Sequence, residues 1–465
     1  MTVLEAQVDR LVGPTHHFGG LGVGNLASAA HRGMRSNPRA AAFQGLDKMA
    51  AVARRGVPQF VLPPHSRPDL ATLEQLGFAT VAGDGGVAGD GGAAGSGDAT
   101  GDMLARVAAE SPPLLSAVMS CSGMWMANAA TVAASWDSPA GRTAVTIANL
   151  VSSLHRAGEA AETLADLRKL LPRRTVVHAP LPGGYAIRDE GAANHMRLVG
   201  RPQGHRRSSS TARPPGLHLF VYGDGDPGPQ RLPPRQSREA SRAVARLHRL
   251  PSENVFFLKQ HPDAIDAGAF HNDVVAASHG EIMIFHELAF FDPEPTLGRL
   301  SRRFRDCWGD EPRLLRVTAE ELSLDEAVAC YLFNSQIVSP PDAGRPPIII
   351  CPAEAGQSRR ARPLIDRWVS EGIFSEALFL PLDQSMSGGG GPACLRLRVP
   401  VTEAELADFH APARWTEALD ERLRRLIAAD YPDRLSPGEL ADPALAAHAR
   451  QINSKLRSLL LSAAS

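Results

Sequence analysis

Short apolar segments, each beside a few polar residues, recur along the chain and predict β-strands. In LRLRV, at 395–399, apolar and basic residues alternate with the two-residue period of a half-buried strand. The predicted strand segments are WMANAATVAAS (125–135), LHLFVYG (217–223), FHNDVVAAS (270–278), YLFNSQIVS (331–339) and ACLRLRVP (393–400).

Helical periodicity appears between these segments. Apolar residues recur at helix spacing in 39–56, which ends on Gly56, and in 238–250 and 403–430. Short strands with helices between them predict a modular α/β protein. The spacing of the segments is too irregular to establish internal repeats.

Two segments have the composition of flexible surface loops inserted into the fold. Residues 83–102 are almost entirely Gly, Ala and Asp, and residues 201–216 are rich in Arg, Ser and Pro. The arginines at 201–216 raise the alternative of a nucleic-acid contact. Because this segment has no aromatic residue to stack on bases, a solvated loop is the favoured interpretation.

Composition excludes several classes of protein. Lys and Arg total 49 against 50 Asp and Glu, so no net field attracts nucleic acid or an anionic membrane. No apolar run approaches the roughly 18 residues that span a bilayer, and no signal peptide is recognised. Five scattered cysteines without a CxxC pair argue against a disulfide framework or a structural zinc site. We therefore expect a cytoplasmic protein; by length alone, about three domains.

Three roles are needed for cysteine-dependent hydrolysis of a carbon–nitrogen bond, a thiolate, a proton carrier and an orienting carboxylate, and the chain offers a candidate for each. Cys394 follows a glycine run that lets the backbone approach a ligand closely, and His271 and Asp273 would share one face of a strand. Glu190 lies among small residues in RDEGAANH. Each also has a structural interpretation: a buried thiol, a surface His–Asp pair and a loop carboxylate. Spacing alone does not decide between them.

Other motifs are weaker candidates. Cys121 is a rival nucleophile, but no glycine-rich segment precedes it. Arg235 and the pair His155–Arg156 could bind a carboxylate, although solvated surface residues are the more common interpretation. GGLGVGN at 19–25 does not fit a dinucleotide fingerprint, and no HExxH, P-loop or GxSxG motif is present.

Eight stretches of the chain together resemble the N-succinylarginine dihydrolase family, within the guanidine-modifying, amidinotransferase-like superfamily. They run in order along most of the chain outside the two loop segments. The stretches are LVGPTHHFGGLGVGNLAS (11–28), SNPRAAAFQGLDKM (36–49), MWMANAAT (124–131), DEGAANH (189–195), LFVYG (219–223), FHNDV (270–274), YLFNSQ (331–336) and GGGPACLRLRV (389–399).

The resemblance implies a five-bladed α/β propeller with approximate fivefold symmetry, so residues 1–465 would form one closed domain. It also implies a homodimer. The implied reaction converts N-succinylarginine to N-succinylornithine, releasing two ammonia and carbon dioxide in arginine catabolism. Thiolate and imidazole carry this chemistry, so no metal or organic cofactor is expected. A deiminase, an amidinotransferase and a non-catalytic guanidine-binding protein remain alternatives.

Family roles carry over to matching positions in this chain. Cys394 matches the nucleophile, His271 the acid/base and Glu190 the assisting carboxylate, while Asp273 matches a guanidinium-binding residue. The guanidinium and a protonated His271 are expected to lower the pKa of Cys394. The further implied substrate contacts are Gly19, Gly20, Leu21, Gly22, Val23, Gly24, Asn25, Leu26, Ala27, Ser28, Asn128, His155, Arg156, Arg235 and Gly388.

Two positions depart from the family pattern. Gly388 stands where the family has Asn, so one substrate hydrogen bond is expected to be lost or replaced by a backbone N–H group. Gly22 replaces a small hydroxyl residue in the first loop. Both departures concern substrate affinity rather than the chemistry.

Overall fold

The computed structural model describes residues 3–78, 96–200, 214–341 and 344–462 and shows a mixed α/β fold. Its strands are β1 Val3–Arg10, β2 Gln59–Leu62, β3 Ala130–Ala133, β4 Ala144–Ile147, β5 Val176–His178, β6 His195–Leu198, β7 Leu217–Tyr222, β8 Val255–Gln260, β9 Ala276–His279, β10 Ile282–His286, β11 Phe290–Phe291, β12 Arg313–Val317, β13 Gln336–Val338, β14 Ile348–Pro352, β15 Glu376–Leu380 and β16 Arg396–Thr402.

The helices lie between and after these strands. They are α1 Leu26–Ala30, α2 Pro38–Ala53, α3 Leu70–Gln75, α4 Ser96–Glu110, α5 Pro112–Met119, α6 Leu154–Ala157, α7 Ala160–Leu170, α8 Arg238–Leu247, α9 Pro262–Asp266, α10 Glu294–Trp308, α11 Leu324–Cys330, α12 Ala353–Gln357, α13 Ala361–Ser370, α14 Asp383–Gly388, α15 Glu403–Ala407, α16 Glu417–Asp430 and α17 Pro443–Leu461. None of the described helices is long and apolar enough to cross a membrane.

The strands form five small sheets that share one connectivity. In each sheet a first strand pairs antiparallel with a second strand, and the second pairs parallel with a third. One sheet is assembled from both ends of the chain, because β16 pairs with β1 and β1 with β2. The orders are β3-β4-β5, β6-β7-β8-β11, β9-β10-β12, β13-β14-β15 and β16-β1-β2.

Amphipathic helices bury their apolar stripes in the core. In α10 the buried side chains Leu297, Leu300, Phe304 and Trp308 recur three or four residues apart, as one face of a helix requires. The helix ends where Gly309 adopts a left-handed conformation with φ +74°. The predicted helix at 403–430 is wrong as a single element, because α15 and α16 are separated by a 3-10 turn at Ala411–Ala413.

The structure has a β-strand in each of the five predicted segments, but most of these strands begin later than predicted. Only 217–223 is strand from its start; in the other four segments a turn comes first. The prediction that His271 and Asp273 share a strand face is therefore wrong. His271 precedes, and Asp273 belongs to, a 3-10 turn at Asn272–Val274 that ends before β9.

The two predicted loop segments lie largely outside the described residues. In the first, residues 83–95 are not described, and residues 96–102 are the start of α4 rather than loop. In the second, residues 201–213 are not described, and residues 214–216 lead into β7.

Candidate active site

Each sheet's first strand is preceded by a tight turn, and the five turns are joined in a closed circuit. Hydrogen bonds run from each turn, or the residue just before it, to the next, and the fifth returns to the first. The five links are Asn128 Nδ2 to Glu190 O (3.2 Å), Asn272 N to Asn194 Oδ1 (3.0 Å), Asn334 Nδ2 to Asp273 O (3.2 Å), Ala393 N to Asn334 O (2.9 Å) and Ala127 N to Cys394 O (3.0 Å).

Cys394 lies in the last of these turns, where two neighbouring residues hold it. Its side chain is 2% exposed. Asn334 accepts from the Cys394 backbone N–H through Oδ1 (3.2 Å) and donates from Nδ2 to the sulfur (3.1 Å). The thiol in turn lies 3.3 Å from Asp273 Oδ2. The sulfur is thus fixed between an amide donor and a carboxylate.

Glu190 and His271 form a second buried pair in the same circuit. His271 Nε2 lies 2.8 Å from Glu190 Oε2, and Asn128 Nδ2 lies 3.3 Å from His271 Nδ1. The Glu190 backbone N–H donates to Gln236 Oε1 (2.7 Å). Because His271 and Asp273 are two residues apart on one turn, this pair adjoins the thiol–carboxylate pair.

Electrostatics keep the unliganded thiol protonated. Burial and the charge of Asp273 raise the pKa of Cys394 well above its usual range, and burial also raises the pKa of Asp273. Burial lowers the pKa of His271. Burial would raise the pKa of Glu190, but the hydrogen bond and charge of His271 outweigh it and lower that pKa to about 2. The expected lowering of the Cys394 pKa by the guanidinium and a protonated His271 concerns the substrate-bound site and stays a prediction.

The glycine run before Cys394 makes room for larger side chains. A Cβ at Gly388 or Gly390 would lie within 2.7 Å of the Trp125 ring, and one at Gly391 would lie 2.8 Å from Asn334 Oδ1. Gly389 has φ +94° and lies against the Asn25 amide. The loop leading to Cys394 is thus packed rather than open.

Gly388, the departure from the family pattern, is also explained by this packing. Asn25 Nδ2 lies 3.3 Å from the carbonyl oxygens of both Gly388 and Gly389. An Asn at 388 would need the Trp125 ring to move, since its Cβ would lie 2.7 Å from Cζ2. In this chain an amide from the first loop therefore engages the backbone at position 388.

A cleft opens in front of Cys394 and has a cationic wall. Arg156 and Arg235 are 5% and 6% exposed, and neither is within ion-pairing distance of a carboxylate in the described part of the chain. Arg235 donates to the Val23 carbonyl and lies 4.7 Å above the Phe270 ring. The lining residues are His17, Phe18, Gly19, Gly20, Leu21, Gly22, Asn25, Ser28, Ser120, Trp125, Asn128, His155, Arg156, Arg235, Phe270, Gly388, Gly389 and Cys394.

The first loop contributes to the cleft with only part of its length. Gly19, Gly20, Leu21, Gly22, Asn25 and Ser28 line the cleft, whereas Val23, Gly24, Leu26 and Ala27 do not. The side chains of Val23 and Leu26 point outward and are 54% and 48% exposed. The predicted substrate contacts of these four residues stay predictions.

The structure thus brings most of the predicted residues to one place. Asn128, His155, Arg156, Arg235 and Gly388 line the cleft with Cys394, while His271, Glu190 and Asp273 lie behind its lining. The rival Cys121 is outside the lining, with its sulfur 3.2 Å from Thr15 Oγ1. In the described ranges no group of three His, Cys, Asp or Glu could hold a metal ion.

Sequence reasoning missed Asn334 and Trp125. Asn334 lies in the quoted stretch YLFNSQ and occupies the same place in its turn as Asn128 does in MWMANAAT, two residues before the strand. That shared offset was the signal available in the sequence. Trp125 gave no such signal, because its role depends on the distant glycine run.

The chain is similar in sequence to known proteins over almost its whole length. A sequence model described as succinylarginine dihydrolase matches residues 2–464. N-succinylarginine dihydrolase of Chromohalobacter salexigens is 43% identical over 452 residues, covering 95% of this chain and 93% of the relative. The protein of the same name from Nitrosospira multiformis is 42% identical over 471 residues, covering 99% and 98%.

A solved structure shares the fold at low sequence identity. The N-terminal domain of ArgZ, an arginine dihydrolase from the ornithine-ammonia cycle in cyanobacteria, has a TM-score of 0.50 and 14% identity, over 85% of this chain and 97% of that domain. This similarity supports the mixed α/β fold. The family match over 2–464 and the relatives above 40% identity show that the chain belongs to the succinylarginine dihydrolase family.

Proposed function

We propose that this protein hydrolyses N-succinylarginine to N-succinylornithine, two ammonia and carbon dioxide. One observation carries the proposal: the cleft has a thiol backed by carboxylates at one end and two unpaired arginines at its wall. A guanidinium matches the acidic end, and carboxylates match the arginines, because guanidinium and carboxylate pair bidentately. N-succinylarginine carries both kinds of group.

Binding of the substrate activates the nucleophile. In the free site the Cys394 thiol is neutral, since burial and Asp273 raise its pKa. A bound guanidinium cation pairs with Asp273 and Glu190 and places a positive charge beside the sulfur. Both effects lower the pKa of the thiol, so the thiolate forms only when the substrate is in place.

The first half of the reaction then exchanges nitrogen for oxygen at the guanidinium carbon. The Cys394 sulfur forms a bond to that carbon, the C–N bond breaks, and the thiol proton leaves with ammonia through His271. Water attacks the resulting amidino-thioether, the C–S bond breaks, and the thiol and a ureido product form. Asn334 keeps the sulfur aligned through both steps.

A second cycle distinguishes a dihydrolase from a deiminase. The sulfur attacks the ureido carbon, a second ammonia leaves, and water releases a carbamic acid that breaks down to the amine and carbon dioxide. Each turnover therefore consumes two waters. Asp273 and Glu190 are available to hold the ureido N–H groups as they held those of the guanidinium.

The fold that supports this site is proposed to be a five-bladed α/β propeller. Five sheets of shared connectivity, a circuit of five hydrogen-bonded turns and a sheet that joins both chain ends support this arrangement. It makes residues 1–465 one closed domain. The homodimer and the cytoplasmic location stay predictions.

Counting ammonia tests the function. Purified protein is incubated with N-succinylarginine or with free arginine, and ammonia is measured per substrate consumed. We expect two ammonia and N-succinylornithine, with little reaction of arginine, which lacks the succinyl carboxylate. One ammonia with a ureido product would identify a deiminase, and no ammonia from either would leave a guanidine-binding protein.

A further inference from the structure

A second cavity lies behind the turns that carry the reactive residues. We call it the rear cavity; its lining includes Ala193, Asn272, Asp273, Ala277, Ser335 and Arg396. It has room for at least one water molecule. It shares no lining residue with the cleft, although both take residues from the same turns.

The two cavities are lined by adjacent residues of the same turns, next to the Cys394 sulfur. In the last turn, Ala393 lines the rear cavity and the next residue, Cys394, lines the cleft. In the first turn, Ala127 lines the rear cavity and Asn128 lines the cleft. Asp273 lines the rear cavity, yet its Oδ2 lies 3.3 Å from the Cys394 sulfur. One side chain therefore separates the rear cavity from the thiol.

The walls of the rear cavity are suited to water. Asn272 Oδ1, Asp273 Oδ1 and Arg396 Nε are buried and have no hydrogen-bond partner in the described part of the protein. Buried polar atoms of this kind are usually satisfied by ordered water. Arg396 and Arg398 also line the cavity, so their charge disfavours ammonium but does not oppose neutral ammonia or water.

The next step rests on the proposed function. The arginine-type chain of the substrate fills the cleft between the arginines and Cys394, and it stays attached to the sulfur after the first ammonia has formed. Water must nevertheless reach that carbon twice, and ammonia must leave twice. We propose that the rear cavity delivers the hydrolytic water and removes ammonia while the substrate occupies the cleft.

Filling the rear cavity tests the proposal. Ala277→Leu adds apolar volume at a lining position of β9, and Ala277→Ser is the matched control that keeps the wall small and polar. With N-succinylarginine, we expect the Leu variant to accumulate the amidino adduct on Cys394, seen by intact-protein mass spectrometry, and to lose about tenfold in kcat. The Ser variant should resemble the parent.

One further measurement and a second variant distinguish failure of the rear route from misfolding and from failure of the proposed function. Alkylation of Cys394 by iodoacetamide in the free protein reports folding and access through the cleft, and it should be equal in both variants. If Ala277→Leu does not fold, Ala192→Val on another part of the wall replaces it. If a folded variant with the rear cavity filled turns over at the parental rate and accumulates no adduct, the proposed role of the rear cavity is wrong. If the parent protein releases no ammonia, the proposed function is wrong instead.

Discussion

The two ends of the cleft differ in charge and in how their residues are held. At the reactive end, Cys394, His271 and Glu190 are at most 2% exposed, and each has a side-chain partner. At the proposed carboxylate end, Arg156 and Arg235 are buried cations with no carboxylate within ion-pairing distance among the described residues, although the charge of Glu190 acts on Arg235. Buried charge that is not directly paired is costly, which supports the proposal that a ligand anion binds there.

The difference separates chemistry from recognition. The reactive end is ordered by the turn circuit before any ligand arrives, as catalytic positioning requires. On the proposed function, the carboxylate end receives its directly paired anions from the substrate. Substitutions at the reactive end should therefore change kcat, and substitutions at the carboxylate end should change KM.

The largest effect is expected at the nucleophile. Cys394→Ser should lower ammonia release by at least about four orders of magnitude, because the alcohol is not ionised by the site. Calorimetry should still detect N-succinylarginine binding, since the arginines are untouched. Cys121→Ser is the control and should keep parental activity; similar losses in both variants would contradict the assignment of Cys394.

A smaller loss is expected at the residue that positions the sulfur. Asn334→Ala removes the donor to the sulfur and the acceptor for the Cys394 N–H, so kcat should fall about 10- to 100-fold with little change in KM. Because the Asn334 donor lowers the pKa of the thiol, the alkylation profile of Cys394 should shift to higher pH. If the pH profile of Cys394 alkylation does not shift, Asn334 acts through packing and not through its hydrogen bond to the sulfur.

At the carboxylate end the effect should appear in KM. Arg235→Gln should raise the KM for N-succinylarginine about 10- to 100-fold, the value of one charge-assisted pair, and change kcat little. N-acetylarginine, which lacks the succinyl carboxylate, should be much less affected. Arg231→Gln at an exposed neighbouring position is the control; an equal loss for both substrates would show that Arg235 does not read the succinyl group.

The smallest effect is on stability against pH. Burial and Arg156 lower the pKa of His155 to about 3, so the folded protein binds fewer protons than the unfolded chain below pH 6.5. The free energy of unfolding therefore falls as pH decreases from 6.5. His155→Gln should flatten this slope by less than about 1.4 kcal/mol per pH unit, since the ring is partly solvated.

Glu190 provides the contrast in the same experiment. Its pKa of about 2 lies below the ordinary 4.5, so its contribution is complete above pH 4.5 and is lost as pH falls toward 2. Glu190→Gln should therefore not flatten the slope between pH 6.5 and 4.5. Denaturant unfolding at several pH values measures both variants, and identical slopes for parent and His155→Gln would contradict the expected titration.

Local patterns predicted the elements better than their boundaries. The segment 217–223 is strand as predicted, because its mostly apolar side chains are almost all buried. In 270–278 and 331–339 the residues HND and FNS lie in turns, where backbone groups bond within the turn rather than across a sheet. Composition cannot show which hydrogen bonds these groups make.

For the site, the resemblance implied which residues take part, whereas only the structure shows which of them contact one another. The sequence singled out Cys394, His271 and Glu190 as candidates and the resemblance implied their roles, but the Asn334 contact joins positions 60 residues apart and depends on two sheets meeting. The same holds for Asn25 and Trp125 against the glycine run. Without substrate, burial and the charge of Asp273 raise the pKa of Cys394, so the expected lowering of that pKa by the bound guanidinium stays a prediction.

Measuring the ionisation of Cys394 with and without ligand tests the central claim most directly. The rate of iodoacetamide alkylation is followed against pH in the free protein and with a saturating, unreactive guanidinium analogue of the substrate that leaves the sulfur accessible. The proposed mechanism predicts a thiol pKa well above 9 in the free protein and a clear decrease with the cation bound. A thiolate already present at neutral pH in the free protein, or a pKa that does not respond to the cation, would contradict it.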